Sequence, residues 1–148
     1  MIHYILAFML FYFPATSARV WNEEVKIAKA IVDVSMDENE ALLLASIASF
    51  EGSFRIGARG KLGEIGPWQL MPPPRARAVP KDLAGQAREA LARWRVLGPC
   101  GFTGENAGRN PRTLTELSKV CPLAFHRQMR AEAWRAAHPF NPLTASLP

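Results

Sequence analysis

Apolar residues recur at helical spacing along most of the chain. Trp21, Val25, Ala28 and Val32 follow one another at spacings of four, three and four, and Ile27 and Ile31 widen that side, which predicts a helix over 20–34. Asp37 and Glu40 make an acidic variant of the capping box, which opens a helix over 41–50 with Gly52 as its stop. Gly57, Gly60, Gly63 and Gly66 then stud a loop or short hairpin, and Pro72-Pro73-Pro74 excludes a helix after it. Asp82 caps a further helix over 83–97, with Leu83, Ala87, Leu91 and Trp94 on one side and Gly98-Pro99 at its end. Thr113 and Glu116 form a second capping box that opens a helix to Val120. Pro122 starts another helix, which carries Phe125, Met129 and Ala133 to Trp134, and His138-Pro139 begins a Pro-rich tail. The expected fold class is therefore all-α, mainly helical, with one glycine-rich loop or short hairpin between helices.

A length of 148 residues is room for one domain. Residues 1–18 contain no Lys, Arg, Asp or Glu, and Ile5 to Phe13 is an unbroken apolar run of nine. Small residues follow at Ala15-Thr16-Ser17-Ala18, so the segment reads as a secretory signal peptide cut after Ala18. The alternative is a buried N-terminal helix of the fold. The run is short of the ~20 residues that span a bilayer, so stable membrane insertion is not expected. The expected division is signal peptide 1–18, folded domain 19–138 and tail 139–148.

Charge is uneven. Residues 19–51 carry three basic and seven acidic side chains, and residues 52–148 carry fifteen basic and six acidic, giving the net +5 of the whole chain. Such a basic stretch suits a polyanionic partner: nucleic acid, an anionic membrane or an anionic wall polymer. Export, to a periplasm or outside the cell, makes nucleic acid the weakest of these. Export also suits a disulfide between Cys100 and Cys121, the two cysteines of the chain. Two buried thiols, or a metal site with His126 and His138 whose spacing fits no template, are the alternatives; no metal or other cofactor is expected.

Glu51 is the residue that stands out. It lies four residues after Ile47 and eight after Leu43, so it continues the apolar side of its helix. A carboxyl group at the edge of a core, at a helix C-terminus, resists ionisation on both counts. A carboxylic acid that keeps its proton near neutral pH is what glycosidic cleavage needs at the leaving oxygen. The alternative is a half-exposed carboxylate paired with an arginine such as Arg55 or Arg59.

The surrounding residues sharpen this. Leu43-Leu44-Ala45-Ser46-Ile47-Ala48-Ser49-Phe50-Glu51-Gly52, followed by Gly63-Glu64-Ile65-Gly66-Pro67-Trp68-Gln69-Leu70-Met71-Pro72, resembles the soluble lytic transglycosylase family, which is related in fold to goose-type lysozyme. That family's first motif is a helix ending in a catalytic Glu, usually followed by Ser. Its second is Gly-Leu-Met-Gln, two apolar residues and Pro, matched here by Gly66 to Pro72. Its third, apolar-Tyr-Asn, is best matched by Gly104-Glu105-Asn106 with Ala107-Gly108. The chain departs from the pattern at Gly52 for Ser, Pro67-Trp68 for Leu-Met, and Glu105 for Tyr.

The resemblance implies a lysozyme-like domain over 19–138 that cleaves the bond between N-acetylmuramic acid and N-acetylglucosamine in peptidoglycan strands. Glu51 would give its proton to the glycosidic oxygen and then take one from the muramic 6-hydroxyl, closing a 1,6-anhydro ring without water or metal. Gln69 would bond the sugar, Asn106 would act near the oxocarbenium-like centre, and Trp68 would stack on a pyranose or belong to the core. Glu64 or Glu105 would supply a second acid if the reaction is hydrolytic, as in a muramidase. Arg75, Arg77 and Arg109 would meet acidic groups of the substrate. A catalytically impaired wall-binding component, or one with a cell-envelope assembly partner, is the competing reading.

Overall fold

The fold is organised around helix α3, Glu38–Glu51. Its apolar residues do not form a stripe: Ala41, Leu42, Leu44, Ala45, Ser46, Ile47, Ala48 and Ser49 are all buried, so it is covered nearly all round. The cover consists of α1 (Ile2–Tyr12), α2 (Ala18–Val34), α4 (Leu83–Phe102) and α6 (Pro122–Ala137), each packed on α3, while the short α5 (Leu114–Val120) packs on α6. The structure is a computed structural model that describes residues 1–73, 75–106 and 108–142. Pro74, Ala107 of the third motif and residues 143–148 of the tail lie outside the described residues. The expected all-α class is what is observed, and among the described residues extended pairing is limited to isolated antiparallel bridges, Arg59 with Ile65 and Ile65 with Leu70. The glycine-rich crossing is thus a tight loop closed on itself.

The capping signals form as expected. Asp37, Asp82 and Thr113 each accept a hydrogen bond from the backbone N–H three residues on, at Glu40, Gly85 and Glu116. Glu40 and Glu116 answer by accepting from Met36 and Arg112, one residue before each cap. One element differs from expectation. Helix α2 is rotated: its buried face is Glu24, Ile27, Ala28 and Ile31, and Trp21 is exposed. Helix α4 breaks at Gly98-Pro99 as expected, Gly98 taking φ 71° and ψ 168°, and one further helical turn follows the kink.

Residues 1–18 are packed as the alternative reading describes. Ile5, Phe8 and Met9 of α1 are fully buried, Phe8 meets the Trp134 ring edge-on, and the Tyr4 hydroxyl donates to the carbonyl of His138. The expected cut after Ala18 falls in the first turn of α2 and would remove Ser17, whose side chain caps that helix. The fold is pinned at the other end by a disulfide between Cys100 and Cys121, which joins the last turn of α4 to the start of α6. Closing a loop of that size contributes roughly 3 kcal/mol in the chain-entropy account. It also removes both sulfurs from any metal site with His126 and His138, and His138 is stacked on Trp134 instead. No helix among the described residues is long and apolar enough to cross a membrane.

Candidate functional site

Directly after Glu51 the chain makes an abrupt turn. Ser53 and Phe54 both take left-handed φ values, 48° and 56°, a conformation that costs a side-chain-bearing residue of order 1 kcal/mol or more. The cost is met by packing: Phe54 is buried and meets Phe13 edge-on. The turn sends residues 55–59 back across the end of α3. The glycine-rich loop then folds over them, with Gly66 N–H donating to Ala58 and Ile65 and Leu70 exchanging two hydrogen bonds. Gln69 is also left-handed, at φ 46°, and its side-chain amide donates to the Gly66 carbonyl.

This folding opens a cleft of about 690 Å³ lined by Arg19, Glu23, Glu51, Gly52, Ser53, Arg55, Gly57, Ala58, Arg59 and Gln69. Glu51 and Gln69, which are 18 residues apart in sequence, therefore line one cleft. The Glu51 side chain is 22% exposed. Its carboxyl is not set in apolar surface, as its helix position suggested, and its partner is neither Arg55 nor Arg59. Arg127 of α6 donates to Oε1 from both Nε, at 2.9 Å, and Nη2, at 2.5 Å. Oε2 takes no hydrogen bond among the described residues.

Arg19 and Glu23 in the cleft, and Arg127, which is outside its lining but bonded to Glu51, carry no signal in the sequence. Glu23 contributes a second carboxylate, which accepts from the Ile56 N–H at 3.1 Å and lies 3.4 Å from Arg19. Its place between two apolar helix positions gave no signal, because the cleft is made by residues 55–59 folding back over α2. Arg127 is 76 residues from Glu51 in sequence, and no spacing rule connects them.

Other expected site residues are placed elsewhere. Trp68 is in the core, 1% exposed, with Nε1 donating to the Leu44 carbonyl, so it does not line the cleft. Glu64 accepts from the Leu62 N–H and packs over Gly60, inside the loop. Glu105 is a cap of α6: Oε1 accepts from Leu123, and Oε2 from Ala124 and the Thr103 hydroxyl. Burial opposes its ionisation, but the two backbone N–H groups, the Thr103 hydroxyl and the nearby Arg127 charge outweigh that and hold its carboxyl below the ordinary range. Asn106, left-handed at φ 39°, donates to the Val120 carbonyl and ties the loop to α5. Neither Glu105 nor Asn106 lines the cleft, and neither do Arg75, Arg77 and Arg109; its arginines are Arg19, Arg55 and Arg59.

The site can accordingly offer one partly exposed carboxyl group with a free oxygen, a second carboxylate at Glu23, an amide at Gln69 and three cationic side chains on the rim. Among the described residues no cluster of three His, Cys, Asp or Glu side chains is arranged to hold a metal ion. Comparison with protein-family models, curated proteins and solved structures finds no match to the chain.

Proposed function

We propose that the protein is an exported enzyme that cleaves peptidoglycan glycan strands at the bond between N-acetylmuramic acid and N-acetylglucosamine, as a lytic transglycosylase, with Glu51 as acid and then base. The observation that carries the reading is the meeting of Glu51 and Gln69, from the two motifs that resemble the transglycosylase family, in a single cleft. The cleft is partly open to solvent, so a bound sugar could belong to a chain that continues beyond it. Oε2 of Glu51 is the oxygen left for the glycosidic oxygen, since Oε1 is held by Arg127. The Gln69 amide, fixed by its bond to Gly66, would offer the sugar its remaining hydrogen-bonding capacity. Arg19, Arg55 and Arg59 suit the lactyl carboxylates and acidic stem peptides of the substrate. The disulfide accords with an oxidising compartment.

One observation favours a hydrolytic outcome as the second reading. Glu23 shares the cleft with Glu51, so a second carboxylate is present that a hydrolytic reaction would use on water. A digest of purified peptidoglycan separates the two by mass. Anhydro-ended fragments, one water lighter than hydrated ones, are expected; hydrated ends would replace the lyase reading by the hydrolase. Glu51→Gln is expected to abolish cleavage with the unfolding temperature within a few degrees of wild type. Full activity in that variant would refute the assignment of Glu51, and sacculus binding without any fragments would favour a wall-binding protein.

A further inference from the structure

We propose that Arg127 is the positioning residue for Glu51, and that Glu105 acts through it; this rests on the function proposed above. A side chain at the last turn of a helix, beside an open cleft, has several rotamers available. Glu51 is restricted to one by a side-on guanidinium, since Nε and Nη2 converge on the same oxygen. That geometry fixes Oε1 and leaves Oε2 as the reacting oxygen.

Arg127 can serve as a fixed point because every part of it is held. Its side chain is 8% exposed, Nη1 donates to the Leu123 carbonyl at 2.7 Å, and the guanidinium lies over the Phe50 ring, 5.2 Å from its centroid. Its own carbonyl accepts from the Ser46 hydroxyl of α3. The residue is therefore tied to the helix that carries Glu51 through both backbone and side chain. Arg130, one turn on, donates to Ser49 and lies against Phe50 and Tyr12, so a second contact keeps α6 in register with α3.

Glu105 extends the chain of support. It accepts from the first free N–H groups of α6, at Leu123 and Ala124, and its charge acts on Arg127. Leu123 is the residue whose carbonyl receives Nη1 of Arg127. The Cys121 sulfur of the disulfide lies 3.8 Å from the Glu105 carbonyl oxygen, at the start of the helix. At the third motif position, where the resembling family has a tyrosine, this chain thus has a carboxylate that works one step removed, on the arginine that grips the acid.

The test is steady-state cleavage of a defined soluble muropeptide oligomer by the full chain and its variants, each checked by thermal unfolding. Arg127→Gln is expected to lower kcat about 10- to 100-fold, the scale on which loss of a catalytic group's alignment acts, with KM within about twofold. Arg127→Lys, which keeps a charge but loses the fork, is expected to recover part of that loss. Glu105→Gln, which keeps an acceptor oxygen for the helix, is expected to lower kcat severalfold in the same direction, and it carries the test if Arg127→Gln does not fold. Folded Arg127→Lys and Glu105→Gln proteins with kcat within twofold of wild type would overturn the positioning role while Glu51→Gln still confirmed the acid. A rise in KM alone would overturn it too, by making Arg127 a substrate contact. A wild-type chain that releases no fragments would fail the function itself, and the positioning role with it.

Discussion

A single methyl group at position 52 should damage this protein, although its backbone there suits any residue. Gly52 has φ −120° and ψ 1°, which is open to L-amino acids, so conformational freedom is not why glycine is there. The reason is space. A Cβ on Gly52 would lie 2.6 Å from the Pro67 carbonyl oxygen, 2.8 Å from its Cα and 2.9 Å from its carbonyl carbon, where ordinary contact begins at 3.4 Å. All three are backbone atoms, so no rotamer change relieves the overlap, and Pro67 or the end of α3 must move by most of an ångström. Overpacking of this kind costs about 1–3 kcal/mol, more than the ~0.4–1 kcal/mol that Gly→Ala returns by stiffening the unfolded chain. At roughly 3 °C per kcal/mol for a chain of this size, Gly52→Ala should lower the unfolding temperature by up to about 8 °C. Gly57→Ala is the control: it lines the same cleft, and a Cβ there meets nothing within 4 Å. Calorimetry or circular dichroism on both variants checks the claim. Equal unfolding temperatures for Gly52→Ala and Gly57→Ala would refute the close approach of residue 52 to Pro67.

Two carboxyl groups, the half-buried Glu105 and the buried Glu24, should give opposite pH responses in thermal melts. Glu105, held below its ordinary value of 4.5, contributes stability that is present above that value and lost as acid carries the pH through the lowered one, so the gap between wild type and Glu105→Gln should narrow from pH 7 towards pH 3. Glu24 is pushed up from 4.5 by burial, with Oε2 unpartnered, so its contribution is lost as pH rises through the raised value, and Glu24→Gln should gain on wild type from pH 4 to pH 7; a flat difference in either case contradicts the corresponding environment. Removing residues 1–17 strips Ile5, Phe8 and Met9 from the core, each worth roughly 1.5–3 kcal/mol, and should lower the unfolding temperature by more than about 10 °C. An unchanged melt for that truncated chain would mean that α1 contributes nothing to the fold, as expected of a leader.

What was legible in the sequence was local. Asp37, Asp82 and Thr113 announced their helices because a cap needs only residues three apart, and the glycine and proline signals marked the crossing for the same reason. The side of a helix that faces inward was less legible where the helix is central. On α3 even Leu42 and Ser46 are buried, so the stripe running to Glu51 was part of an all-round cover and said little about the acid's surroundings. On α2 the buried Glu24 broke the apolar pattern and drew the expected face towards Trp21, which is exposed. The apolar run at residues 5–13 suits a leader and a core helix equally, since both are selected for the same composition.

The site was legible only in the parts that lie along one stretch of chain. Glu51 and Gln69 lie in neighbouring motifs, and they share the cleft; Glu23 and Arg127 come from helices before and after, and they had to be found in three dimensions. The departures from the transglycosylase pattern then take on a physical order. Gly52 and Pro67 are two sides of one contact, because the backbone of Pro67 occupies the space where a side chain at residue 52 would sit. Glu105 is bound up with α6 in the same way, since its carboxylate satisfies the N–H groups that open the helix bearing Arg127. Substitution at either place would therefore subtract: a serine at 52 collides with backbone, and a tyrosine at 105 leaves Leu123 and Ala124 without their acceptor. The residues at these positions are held by contacts with other parts of the chain, so a single substitution at either is expected to cost stability.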